Sequence, residues 1–206
     1  MLECNQLIPL PSRLRSGWQF FYINMASRAF VFIDGNNFYF KLKELSIQLN
    51  GNFHLIDFDF YGFSKNFVNP NILAGVNYYI GALKYQRNNP KSAQMYSDQQ
   101  KLLAKIKNQG INITLGHIIQ HPDKSFHEKG VDVRLAVEMI RFARENKYDT
   151  AYLLSSDTDL VPAVEEVHAF DKKVCYVGIA KGQSFGLTKT SDTVLLLRPS
   201  DIQQFL

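Results

Sequence analysis

Cysteine is almost missing: the 206 residues hold two, Cys4 and Cys175, far apart in the chain. They suggest neither a disulfide framework nor a zinc-ligand set, and a reducing cytoplasm suits them best. Also missing is any apolar run near the roughly 18 residues of a membrane span. The chain has no internal repeat and no low-complexity tract. Excess charge is small, a net +4 at pH 7. A mildly basic balance is compatible with a polyanionic partner without demonstrating one. What is present is ordinary for a globular domain: 46% apolar and 20% charged residues, in a length that buries a substantial core.

Residues 1–24 do not read as the start of that domain. Leu7-Ile-Pro-Leu-Pro11 is broken by proline, and Arg13, Arg15, Gly17 and Trp18 follow without periodicity. A signal peptide carries its basic residues ahead of the apolar stretch, whereas here they lie between two apolar patches. Met25 directly precedes the first strand and reads as an alternative start. The expected organisation is an extension over 1–24, upstream of the true start or without structure, and one domain over 25–206.

Within the domain, short apolar runs alternate with helical periodicity. Ala29–Ile33, Gly75–Lys84, Ile111–Ile119, Ala151–Leu154, Lys173–Ile179 and Val194–Leu197 read as strands. Helices are expected over Phe38–Leu49 and Ser97–Gln109, with Phe60, Phe63 and Phe67 on a third helical face. Val133, Ala136, Val137, Ile140 and Ala143 mark a further helix, Leu160 to Val167 another, and Leu187–Ser191 a helical turn. Strands alternating with helices predict a three-layer α/β sandwich around a mostly parallel, Rossmann-like sheet.

The stretch Ala151–Pro162 organises the functional reading. A buried strand ends in Ser155-Ser-Asp-Thr-Asp159, and a helix starts at once, with Pro162 in its first turn where a missing N–H is harmless. Ligands of open α/β sheets bind at this edge. Asp157 and Asp159 there suit either a helix cap or a divalent cation. Asp34 closes the first strand in the same manner, and Asp132 falls in the first turn of the helix after Glu128-Lys-Gly-Val. Three separate segments therefore bring Asp to strand ends or helix starts. Crowded acids repel unless a cation compensates, and an oxygen set without Cys or suitably spaced His suits Mg2+ or Mn2+.

Phe32-Ile-Asp-Gly-Asn-Asn37, Lys129-Gly-Val-Asp132 and Leu154-Ser-Ser-Asp-Thr-Asp-Leu-Val-Pro162 resemble the three signature motifs of the NYN domain. That family belongs to the PIN-like nucleases and includes small bacterial proteins of LabA type. The likeness covers about Arg28 to Leu197, and implies a Rossmann-like fold and metal-dependent RNA cleavage. By motif it implies Asp34, Asp132, Asp157 and Asp159 as the acidic cluster, supported by Asn37 and Ser155. Ser156 stands where the family often has Gly.

The residues suit that chemistry on their own terms. Metal ions held by carboxylates activate water and neutralise charge on a phosphorane-like transition state. Lys129, Lys181 and Lys189 are expected in loops or turns at the same edge, holding the phosphate backbone of RNA. Tyr39 reads first as core and second as a base-stacking platform. His117 and His121 lack a common face on a strand, Cys175 reads as a buried thiol, and Lys101, Lys105 and Lys107 as a solvated helix face. A haloacid-dehalogenase-like phosphatase needs an acid where Asn36 stands, and a glycosyltransferase has no need of Asp34 or Asp132. A non-catalytic RNA-binding module that keeps a metal site stays open, as does a homodimer.

Overall fold

Arg28–Asp34 forms the first strand, β1, and successive residues point to opposite faces. Ala29, Val31 and Ile33 enter one apolar layer, Phe30 and Phe32 the other. A strand buried on both faces belongs inside a sheet covered by helices on both sides. The computed structural model has that arrangement. It describes residues 26–49, 54–83, 85, 90–120 and 126–206, the side chains of 117–120 and 126–128 excepted. The expectations for residues 1–24, for the loop through His121 and for the His117 side chain lie outside the described residues.

After β1 come α1 (Gly35–Gln48), α2 (Phe60–Val68), β2 (Ile72–Ile80), α3 (Pro90–Asn108), β3 (Asn112–Leu115), β4 (His117–Gln120) and β5 (Phe126–Lys129). Then follow α4 (Val131–Arg144), β6 (Thr150–Leu154), α5 (Val161–His168), β7 (Lys173–Ile179), α6 (Phe185–Thr190), β8 (Thr193–Leu197) and α7 (Pro199–Ile202). Six strands make one parallel sheet in the order β3-β2-β1-β6-β7-β8, and β4 and β5 pair apart as an antiparallel hairpin. Residues of α1, α2, α3 and α7 join the core on one face of the sheet, and residues of α4, α5 and α6 the core on the other.

The strand order positions the site. The chain builds outward from β1 through β2 to β3, then returns to lay β6 on the other flank of β1, with Ile33 beside Leu154. The carboxyl ends of β1 and β6 therefore bound the crevice at the topological switch point. Beneath α1 and α2 the core is built on phenylalanine. The rings of Phe38, Phe58, Phe60 and Phe63 meet at centroid distances from 4.9 to 6.1 Å.

Three expectations are corrected. The helix predicted from Ser97 begins at Pro90, because proline fits a first helical turn and does not have to mark a loop. The single strand predicted over Ile111–Ile119 divides at Gly116. There β2 has run out, so the chain leaves the sheet and pairs with β5 instead. The buried face of α4 is Val131, Leu135, Met139, Phe142 and Ala143; of the predicted face Ala143 is buried and Ala136 and Ile140 pack partly against the core, whereas Val133 and Val137 are 67% and 54% exposed. Both stripes have helical spacing. Turning Leu, Met and Phe inward removes more apolar area from water than turning the two valines inward.

At the amino end of β1, Arg28 forks onto Asp149, with Nη2 at 2.8 Å from Oδ1 and Nε at 3.1 Å from Oδ2. Hydrogen bonds from Arg28 hold the Asp149 carboxyl well below the usual carboxylate range, outweighing the effect of burial. A depressed acid stabilises the fold above its unfolded pKa of about 3.9, and that stabilisation is lost as pH falls through the folded value. Both partners are partly exposed, so solvent screening limits the effect to about 1 kcal/mol. Asp149→Asn is expected to lower the melting temperature at pH 7 by about 2–4 °C. In strong acid it should melt with the wild type. A deficit that persists unchanged in strong acid would point to packing rather than charge.

Candidate acidic site at the switch point

Asp34 is the last residue of β1 and the cap of α1, and it is buried. Its Oδ1 accepts from the Asn37 backbone N–H at 3.1 Å. Its Oδ2 accepts from Asn37 Nδ2 at 2.6 Å and from Ser155 Oγ at 2.9 Å. The turn out of β1 requires glycine, since a Cβ on Gly35 would meet the ring of Tyr78 at 2.7 Å. Ser155, the buried residue after β6, donates to Asp34 and accepts from the Asp157 N–H at 3.1 Å. One hydroxyl thus ties the end of β1 to the end of β6. Asn37 and Ser155 both act here by orienting the Asp34 carboxylate.

Asp157 caps a short 3-10 turn over Thr158–Leu160, its Oδ1 accepting from the Asp159 N–H at 3.0 Å. Its second carboxylate oxygen accepts no hydrogen bond among the described residues. The cap thus engages one carboxylate oxygen and leaves the other available. Asp159 is exposed within the turn, and Pro162 falls in the first turn of α5. Asp132 occupies the first turn of α4, just past Gly130 at a left-handed φ of 86°.

The acids feel one another across these segments. Asp132 is exposed, and partial desolvation first, then the charges of Asp34, Asp157 and Asp159, raise its carboxyl above the ordinary value. An acid whose ionised form the fold disfavours lowers stability at neutral pH, and a cation or a neutral substitution relieves it. Yet no three or more His, Cys, Asp or Glu side chains among the described residues converge closely enough to enclose a metal ion. The acids share a field without forming a cage. That fits a hydrated hard cation, because Mg2+ keeps several waters and takes one or two carboxylates. Asp132 and the open oxygen of Asp157 are the least engaged, and Asp34, oriented by Asn37 and Ser155, still has acceptor capacity on Oδ1.

The cationic and aromatic expectations fare unevenly. Lys129 ends the strand β5 rather than lying in a loop, and is exposed three residues before Asp132. Lys181 lies in the β7–α6 loop, but its Nζ sits 2.9 Å from Glu44 Oε1, so its charge is compensated. Lys189 lies in α6, in agreement with the helical turn expected over Leu187–Ser191. Tyr39 is not core: its neighbour on the helix surface is the exposed ring of Phe40, 5.4 Å away. The sequence reading missed Lys41, which α1 carries inward beside the site, although its i,i+4 spacing from Asn37 was a usable signal. It also missed the brace that holds α4 to β2. Tyr79 donates to Glu138 Oε2 at 2.8 Å and Asn77 Nδ2 to the same oxygen at 3.2 Å. Asn77 inside an apolar strand was the clue.

Residues 28–197 match the family model of the NYN domain. The chain belongs to the NYN family. NYN domains are PIN-like nucleases, and the six-stranded parallel sheet agrees with that fold. The matched span of this NYN domain includes all four acids. Among solved structures, a protein of unknown function from Vibrio parahaemolyticus aligns with a TM-score of 0.63 at 21% identity, covering 87% of this chain and 97% of its own. It shares the fold. A putative oxidoreductase from Parabacteroides merdae reaches a TM-score of 0.30 at 10% identity, over 84% of this chain and 31% of its own. The comparison with curated proteins returned no match. Among the described residues of this NYN domain, no helix is long and apolar enough to cross a membrane.

Proposed function

We propose that this NYN domain is a Mg2+- or Mn2+-dependent endoribonuclease that hydrolyses phosphodiester bonds of single-stranded or loop RNA in the cytoplasm. The observation that carries the reading is geometric: the Ser155 hydroxyl ties Asp34 at the end of β1 to the turn of Asp157 after β6, at the switch-point crevice. The bound metal supplies water activation and charge neutralisation at the phosphate. The chain supplies the rest. Asn37 and Ser155 fix the Asp34 carboxylate, Asp132 and Asp157 offer open oxygens, Asp159 rides on the turn that Asp157 caps, and exposed Lys129 faces the phosphate backbone. Unpaired RNA suits an open sheet edge, since its bases are accessible and its backbone flexible.

The absence of a closed ligand set among the described residues favours a second reading, an RNA-binding module without turnover. Labelled RNA incubated with and without Mn2+ separates the two: cleavage only with the metal supports the nuclease, and binding without cleavage in any divalent metal supports the module. Thermal denaturation checks the metal independently. Mn2+ should raise the melting temperature by mass action. Asp132→Asn should raise it in EDTA, by relieving repulsion, and blunt the response to Mn2+. A variant that keeps the full Mn2+ shift would remove Asp132 from the site.

A further inference from the structure

Lys41 lies one helical turn beyond Asn37, on the same stripe of α1. Packing leaves only 9% of it exposed. An ammonium carries three donors, and this one uses one of them poorly, at 3.5 Å from the Gly182 carbonyl oxygen. No carboxylate among the described residues pairs with it. Its nearest acidic influences are Glu44 and Asp34, acting through space, and Glu44 is already paired with Lys181. Burial lowers the Lys41 pKa, while those two acids oppose the shift. The stem is packed away while the ammonium, only partly buried, keeps donors free for a partner. An anion that reaches the Asp34 edge would complete it.

We propose that Lys41 is a phosphate-contacting residue of this site, gripping the nucleic-acid backbone beside Asp34. The assignment rests on the nucleic-acid reading above and extends it to a residue outside the three NYN motifs. The contrasting role is structural: Lys41 would merely pin the loop around Gly182 onto α1. A structural lysine affects stability. A phosphate contact also sets how steeply affinity falls with salt.

The test compares wild type, Lys41→Met and Lys41→Arg. The methionine keeps the stem and removes the charge, and the arginine keeps the charge. Affinity for an unstructured oligoribonucleotide is measured in EDTA across a series of salt concentrations. Removing one phosphate contact should reduce the slope of log K against log salt by about 0.7–1 in Lys41→Met, with Lys41→Arg near wild type. Cleavage in Mn2+ should fall at least about tenfold in Lys41→Met, the loss of one charge-assisted contact. An unchanged slope in a folded Lys41→Met overturns the assignment. If that variant does not fold, Lys41→Gln is read the same way. A reduced slope with no cleavage by wild type in any divalent metal keeps Lys41 as a phosphate contact and overturns the nuclease reading alone. Failure of wild type to bind either RNA or single-stranded DNA of the same sequence overturns the Lys41 assignment.

Discussion

Asp34→Asn and Asp157→Asn are each expected to lower Mn2+-dependent RNA turnover by about a thousandfold, roughly 4 kcal/mol of transition-state stabilisation. RNA affinity should hold or rise. The asymmetry follows from where the charge develops: a metal held by carboxylates acts chiefly on the transition state, whereas bound RNA is repelled by the same acids. Both carboxylates also cap local structure, and here the geometry separates the roles. In Asp34→Asn the side-chain amide oxygen can still accept from the Asn37 N–H, while the new NH2 requires the Asn37 amide to flip and the Ser155 hydroxyl to accept. In Asp157→Asn the corresponding oxygen can still cap the Thr158–Leu160 turn. Melting temperatures should therefore move by only a few degrees while turnover collapses. If both variants cleaved normally, the acids would be caps and nothing more. Turnover and affinity must be measured on the same preparations, because loss of both together would indicate loss of fold.

Phe38→Ala should produce the largest loss of stability, about 3–5 kcal/mol for a buried phenylalanine. That corresponds to a melting temperature lower by roughly 10 °C in a chain of this size. Phe38 is 2% exposed, and its ring meets Phe58 at 5.9 Å, Phe60 at 6.1 Å and Phe63 at 5.6 Å. Truncation removes the ring through which α1 meets α2 and the segment before it. The residue directly follows Asn37, so the variant should also turn over RNA more slowly well below its melting temperature, as α1 loosens its hold on Asp34. A calorimetric melting temperature within about 2 °C of wild type would mean that the cavity closes by repacking.

What the sequence disclosed was local. β1, β6 and β7 are apolar on both faces, so their runs are unbroken, and the acids follow the first two at once. What it hid depended on the third dimension. Periodicity sets the spacing of a helical stripe but not its centre, so Ala143 is buried as expected while Val133 and Val137 face outward and Leu135 and Met139 take their place. The break at Gly116 depends on where β2 ends, and β2 is far away in sequence. Lys41 reads as a surface charge on a helix, and only the fold shows its stem packed away, with Nζ 3.5 Å from the Gly182 carbonyl oxygen. Lys181 looked free because its partner, Glu44, belongs to the other end of the domain. The identity of the four acids was legible at once. Their separation was not, since side-chain directions at the end of each strand decide whether they enclose an ion.

The hydrogen bond from Ser155 to Asp34 joins residues 121 apart in sequence, across strands that the chain lays down at opposite ends of its length. Long-range parallel pairings of this kind form late and slowly, because the loop they close must first be ordered. A growing polypeptide that has released β1, α1 and β2 already carries Asp34 and Asn37 but has nothing to set against them. The crevice comes into being only when β6 slots in beside β1, and by then most of the domain must have emerged. An incomplete chain, still tethered beside the messenger that encodes it, therefore lacks the assembled acidic edge.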